Sequence, residues 1–141
     1  MPRRFVLPTA ALLLAGAALG AAPAGVDAPK AEGRPDVLHL TVSGSESGAY
    51  NGSRTLRCRP TGGDHPHPRA ACAKLREATA DGGDPFAPVG KGELCTLVHG
   101  GDATAKVRGT WRGARVDARF DRTDGCEIDR WSALVPVLPR S

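Results

Sequence analysis

Histidine and cysteine are the residue types here that could hold a metal or attack a substrate, and the chain has four of each. His65 and His67 stand two apart in a proline-rich stretch, between Cys58 and Cys72. A secreted binding or zinc-dependent hydrolytic domain using that pair is one reading. Against it, zinc clusters draw cysteines in tight C-x-x-C pairs, which are absent. No G-x-S-x-G elbow, H-E-x-x-H helix or P-loop glycine signature is present either. An even count of cysteines in a small exported domain reads as two disulfides, which leaves no thiolate as nucleophile. Spacing alone permits three connectivities among Cys58, Cys72, Cys95 and Cys126 and does not choose between them. His39 alternates with Leu38 and Leu40 and is expected to face solvent.

What remains is apolar rather than catalytic. Leu97 and Val98 follow Cys95 by two residues and precede Gly100-Gly101. Exposed and held by a covalent staple, such a pair would be a surface made to be bound. Packed inward, it would be the end of a strand. Periodicity does not separate these two readings.

The positioning elements must fit within 141 residues, room for one domain. Glycine (18) and proline (12) are frequent and aromatics make up only 4% of the chain. That composition favours strands joined by turns, with a core built from Val, Leu and Ala. Net charge is +4 without a long basic run, which argues against a dedicated nucleic-acid binder. Arg3 and Arg4, the apolar run that follows and the small residues Gly20 to Ala24 form the pattern of a cleaved secretory signal over residues 1–24. The run is shorter than the roughly 20 residues of a spanning helix, so no membrane association is expected after cleavage. Residues 25–35 read as a flexible tail, and residues 36–141 as the folded domain.

Strands are expected at 37–42, 54–58, 104–111, 115–120 and 131–137, from β-branched residues and alternation. Residues 60–68, with three prolines, should be irregular. Ala71, Cys72, Leu75 and Ala78 fall at helical spacing within 69–80, behind Pro68 and ahead of Asp81-Gly82-Gly83. Asp84-Pro85 could open a second, short helix. Trp111-Arg112-Gly113-Ala114 reads as a tight hairpin. The sum is an α+β arrangement, an antiparallel sheet covered on one face.

Cys58-x-Pro60, Gly63, His65-Pro66, Ala71-Cys72-Ala73 and Leu75 fall at the spacing of a known signature. It resembles that of the Streptomyces subtilisin inhibitor family. The resemblance continues in Leu94-Cys95-Thr96-Leu97-Val98 and from Trp111-Arg112-Gly113 through Arg119-Phe120 to Cys126, so that it spans about residues 36–137. It implies a five-stranded antiparallel sheet covered by one long and one short helix, the disulfides Cys58–Cys72 and Cys95–Cys126, and a homodimer. It also implies a secreted, substrate-like inhibitor of subtilisin-type serine proteases, with no enzymatic activity, cofactor or metal of its own; the apolar Leu97 would in addition suit the hydrophobic slot of chymotrypsin-type enzymes. The scissile bond would be Leu97–Val98, and Glu93, Leu94, Cys95, Thr96, His99 and Gly100 would touch the protease. The stretch His99-Gly100-Gly101-Asp102 departs from the family, which often has an aromatic residue and Asp-Pro there and one residue fewer.

Overall fold

The computed structural model describes residues 33–140, so the expected signal segment and most of the expected tail lie outside the described residues. Its frame is an antiparallel sheet of β1 (Val37–Ser43), β2 (Gly52–Cys58), β3 (Thr61–Gly63), β4 (Thr104–Trp111) and β5 (Ala114–Phe120). The spatial order is β3-β2-β1-β4-β5. Alternation explains which face is dry. Leu38, Leu40 and Val42 of β1 are buried, while His39, Thr41 and Ser43 are exposed. Leu56, Val107, Val116, Ala118 and Phe120 join the same inner face. Arg112 and Gly113 both have positive φ, the two-residue turn whose twist matches a β4–β5 hairpin.

Helix α1 (Pro68–Ala78) lays Ala71, Cys72 and Leu75 on this face, with proline in its first turn. The Cys58–Cys72 disulfide ties it to β2. Helix α2 (Gly125–Ala133) buries Trp131, and Leu134, Val137 and Leu138 follow into the core. The architecture is α+β, with a long and a short helix and two disulfides.

Three elements differ from the sequence expectation. Residues 131–137 are not a strand; they are the end of α2 and the turns that follow it. Trp131, Leu134 and Leu138 recur at helical spacing, and Asp124 caps the helix by accepting the Glu127 N–H at 2.9 Å. The fifth strand lies instead in the proline-rich stretch, where Thr61–Gly63 turns back on β2 and pairs Thr61 with Cys58 and Gly63 with Leu56. Asp84-Pro85 opens only a turn, in which the Asp84 carboxylate accepts the Phe86 N–H at 3.0 Å, and the short helix is α2.

Candidate functional site

From Gly83 to Ala103 the chain forms no strand or helix; Phe86 packs partly against the core, while both leucines of the segment are turned outward. Leu97 is 101% exposed and Leu94 98%, with Val98 at 56%. The inward-packed reading of Leu97-Val98 is therefore excluded. A single exposed leucine is ordinary, but Leu94, Leu97 and Val98 stand exposed within five residues, and leaving each leucine in water forgoes about 1.5–3 kcal/mol of burial.

The segment is shaped by local backbone bonds. Glu93 closes a turn with Gly90, donating its N–H to the Gly90 carbonyl at 3.2 Å and accepting the Gly90 N–H on its carboxylate at 3.2 Å. His99 accepts the Gly101 N–H on Nδ1 at 3.1 Å, and its Nε2 lies 3.9 Å from the Asp102 carboxylate.

The segment just before α2 and the first turn of that helix hold the loop on both sides of Leu97-Val98. Cys126 is bonded to Cys95, with Cα atoms 5.3 Å apart. The Gly125 N–H donates to the Thr96 carbonyl at 2.9 Å. A side chain at position 125 would run into Thr96, so glycine lets the two backbones meet. Beyond the bond, Gly100 donates its N–H to the Arg122 carbonyl at 2.7 Å and accepts Arg122 Nε at 2.8 Å. Arg122 is 9% exposed, and its guanidinium lies over the Trp131 ring, 5.8 Å from the centroid. Anchors at 95, 96 and 100 thus bracket Leu97, Val98 and His99.

Glu93 to Gly100 therefore form one continuous exposed loop, with Cys95 and Gly100 half-buried at its supports. Arg122, Gly125 and the cap Asp124 were not singled out by sequence. Only the Asp124-x-x-Glu127 spacing carried a readable signal, that of a helix start.

The histidine pair is elsewhere, and the ring of His65 is otherwise engaged. His65 Nδ1 accepts the His67 N–H at 3.0 Å, which leaves Nε2 protonated to donate to the Val137 carbonyl at 3.0 Å. Both ring nitrogens are committed, burial pushes the imidazole pKa below its ordinary 6.5, and the ring meets Tyr50 edge-on. The histidine thus fixes the loop to the C-terminal segment. Cys95, Cys126 and Asp124 offer ligand atoms within 4.8 Å of one another, but both sulfurs are in the disulfide and have no thiolate to give.

Residues 34–123 match the family described as Subtilisin inhibitor-like. Subtilisin inhibitor-like protein 1 of Streptomyces cacaoi is 39% identical over 103 residues, 70% of this chain and 90% of the relative. Subtilase-type protease inhibitor of Streptomyces coelicolor is 39% identical over 126 residues, 86% of this chain and 83% of the relative. Among solved structures, Streptomyces caespitosus sermetstatin in complex with Bacillus licheniformis subtilisin aligns at 24% identity and a TM-score of 0.44, over 73% of this chain and 99% of that one. By the extent of the family match and of the two relatives' identity, the chain belongs to the subtilisin inhibitor-like family.

Proposed function

We propose that this protein is a substrate-like inhibitor of subtilisin-type serine proteases, with Leu97–Val98 as its reactive bond. The observation that carries this is a leucine wholly exposed two residues from a disulfide, on a loop anchored before and after it. A serine protease pairs with an extended peptide as an added strand and fills one pocket with a side chain. A free peptide must be ordered first and leaves once cut. Here the fold has already ordered residues 93–100, so less of the contact energy is lost on binding. Inhibitor complexes of this kind bury about 1,600 Å². Glu93, Leu94, Cys95, Thr96, His99 and Gly100 would supply the backbone around the pocket-filling Leu97.

Mass spectrometry of the protein after incubation with subtilisin tests the assignment. Partial cleavage between Leu97 and Val98 alone is expected. Cleavage confined to another bond would overturn it.

The same reading makes the domain, residues 36–141, a secreted homodimer. The signal pattern and the two disulfides support export. Among the described residues no helix is long and apolar enough to cross a membrane. Leu40 and Val42 are buried in the core and are not open to a second copy, whereas Val37 of the same strand is half-buried. The surface open to a second copy is the outer face of the sheet. There the central strand presents Val37, His39 and Thr41, flanked on the neighbouring strands by Arg57, Lys106 and Arg108. Two such faces can stack about 10 Å apart. Sedimentation at micromolar concentration is expected to give a dimer, and a monomer would refute this assembly.

A further inference from the structure

The loop's support beyond the scissile bond differs in kind from its support before it. Before Leu97 the hold is covalent, through Cys95–Cys126. After Val98 it is the Gly100 peptide, gripped at both its N–H and its carbonyl by a single residue, Arg122. The contact is close: a Cβ at position 100 would stand 2.9 Å from Ile128 and 3.1 Å from Arg122 Nε. Two glycines in this stretch would otherwise leave the chain beyond the bond loose. Burial of the Arg122 side chain over Trp131 fixes where Nε points.

We propose that Arg122 is the positioning residue that keeps the new amino terminus at the protease's active site and so makes cleavage reversible. The inference rests on the reactive bond being Leu97–Val98. When the protease serine attacks the Leu97 carbonyl carbon, an ester forms to Leu97 and the Leu97–Val98 C–N bond breaks. The protease histidine passes the serine's proton to the departing Val98 nitrogen. A free product amine would diffuse away and water would take its place. Here Val98 is two residues from the clamped Gly100, so the amine stays beside the ester. Its lone pair attacks the ester carbonyl, the amide re-forms, the serine oxygen leaves, and the histidine returns the proton to it. Arg122 touches none of the reacting atoms. It acts by holding the nucleophile at high effective concentration.

Arg122→Met carries the side chain as far as the position of Nε without a donor, whereas Arg122→Gln restores an N–H at that position. Cleaved protein is isolated and re-ligation by subtilisin is followed, alongside cleavage of the intact form. For Arg122→Met, re-ligation is expected to slow by about ten- to a hundredfold, the scale on which a misplacement of roughly 1 Å acts. Cleavage should correspondingly run to completion, while Arg122→Gln behaves close to the unaltered protein. Unchanged re-ligation in Arg122→Met, or equal impairment in both variants, would overturn the assignment. A measurement on the unaltered protein covers the case of a variant that does not fold. After cleavage, the Gly100 amide should remain protected from hydrogen exchange, and exchange at the rate of a free peptide would equally overturn it. Cleavage of the unaltered protein at a different bond would instead remove the reactive-site reading on which this rests.

Discussion

With Leu97–Val98 as the proposed reactive bond, Leu97 would decide which proteases the loop can serve. Its side chain is apolar and fully exposed, so a protease pocket can take it up whole and gain about 1.5–3 kcal/mol from its burial. Subtilisin's open apolar pocket and chymotrypsin's hydrophobic slot accept it. Trypsin's pocket ends in an aspartate, which a leucine would bury without a partner. Stranding a buried charge costs roughly 3–5 kcal/mol, more than the leucine returns. Inhibition assays should therefore show strong inhibition of subtilisin, weaker inhibition of chymotrypsin and little of trypsin. Leu97→Lys should gain trypsin inhibition with an unchanged unfolding midpoint, because position 97 touches nothing that holds the fold. An unchanged protease spectrum would place the reactive site elsewhere. At the same scale, His65 links stability to pH. Its imidazole takes a proton near pH 6.5 when unfolded but only at lower pH when folded, because burial favours the neutral ring. The unfolded state thus binds more protons between those two values. Stability present above pH 6.5 is lost as pH falls through the folded pKa. Urea unfolding of the unaltered protein and of His65→Gln should show this difference. The variant loses about 1–3 kcal/mol at pH 8 with the bond to Val137, and has a flatter dependence between pH 7 and 5. Asp64 does not confuse the window, since the Thr55 N–H holds its carboxyl below 3.8.

Among the elements, those with plain periodicity were legible in the sequence. Leu38, Leu40 and Val42 alternate with polar residues in β1, Arg112-Gly113 closes the hairpin, and α1 repeats its apolar residues at helical spacing. β3 was not, because Gly62 and Gly63 have low strand propensity and the strand exists only through its pairing with β2. α2 was masked by Trp131, Val135 and Val137, whose strand preference hides a helix started by Asp124. The loop's position was readable from Cys95-Thr96-Leu97-Val98, but its supports were not. Gly125 holds it through a backbone N–H, and Arg122 through its backbone C=O as well as its Nε; the two backbone groups belong to almost every residue and carry no signal of type. The covalent support is testable as an element. The Cys95–Cys126 bond closes 31 residues, worth about 3–4 kcal/mol in the chain-entropy account. With both cysteines changed to serine, the protein should unfold at lower denaturant and be cut by subtilisin as an ordinary substrate. Retained inhibition by that double variant would show that the disulfide is dispensable to the loop.

For the whole molecule, the sheet is the base against which the exposed loop is held. β1, β4 and β5 bury one face beneath the helices, α2 follows β5 by four residues, and the segment leading into α2, with its first turn, grips residues 95, 96 and 100. In the proposed function the chemistry belongs to the protease, and this chain would contribute a bond held in place by its anchored loop. The outcome is a stoichiometric complex rather than turnover. Titration of a fixed amount of active-site-calibrated subtilisin with the purified protein measures this directly. Residual activity is expected to fall linearly to zero at one reactive loop per protease molecule and to stay there on prolonged incubation, with or without a chelator. Activity that remains at molar excess, or returns within minutes as the protein is degraded, would contradict the account.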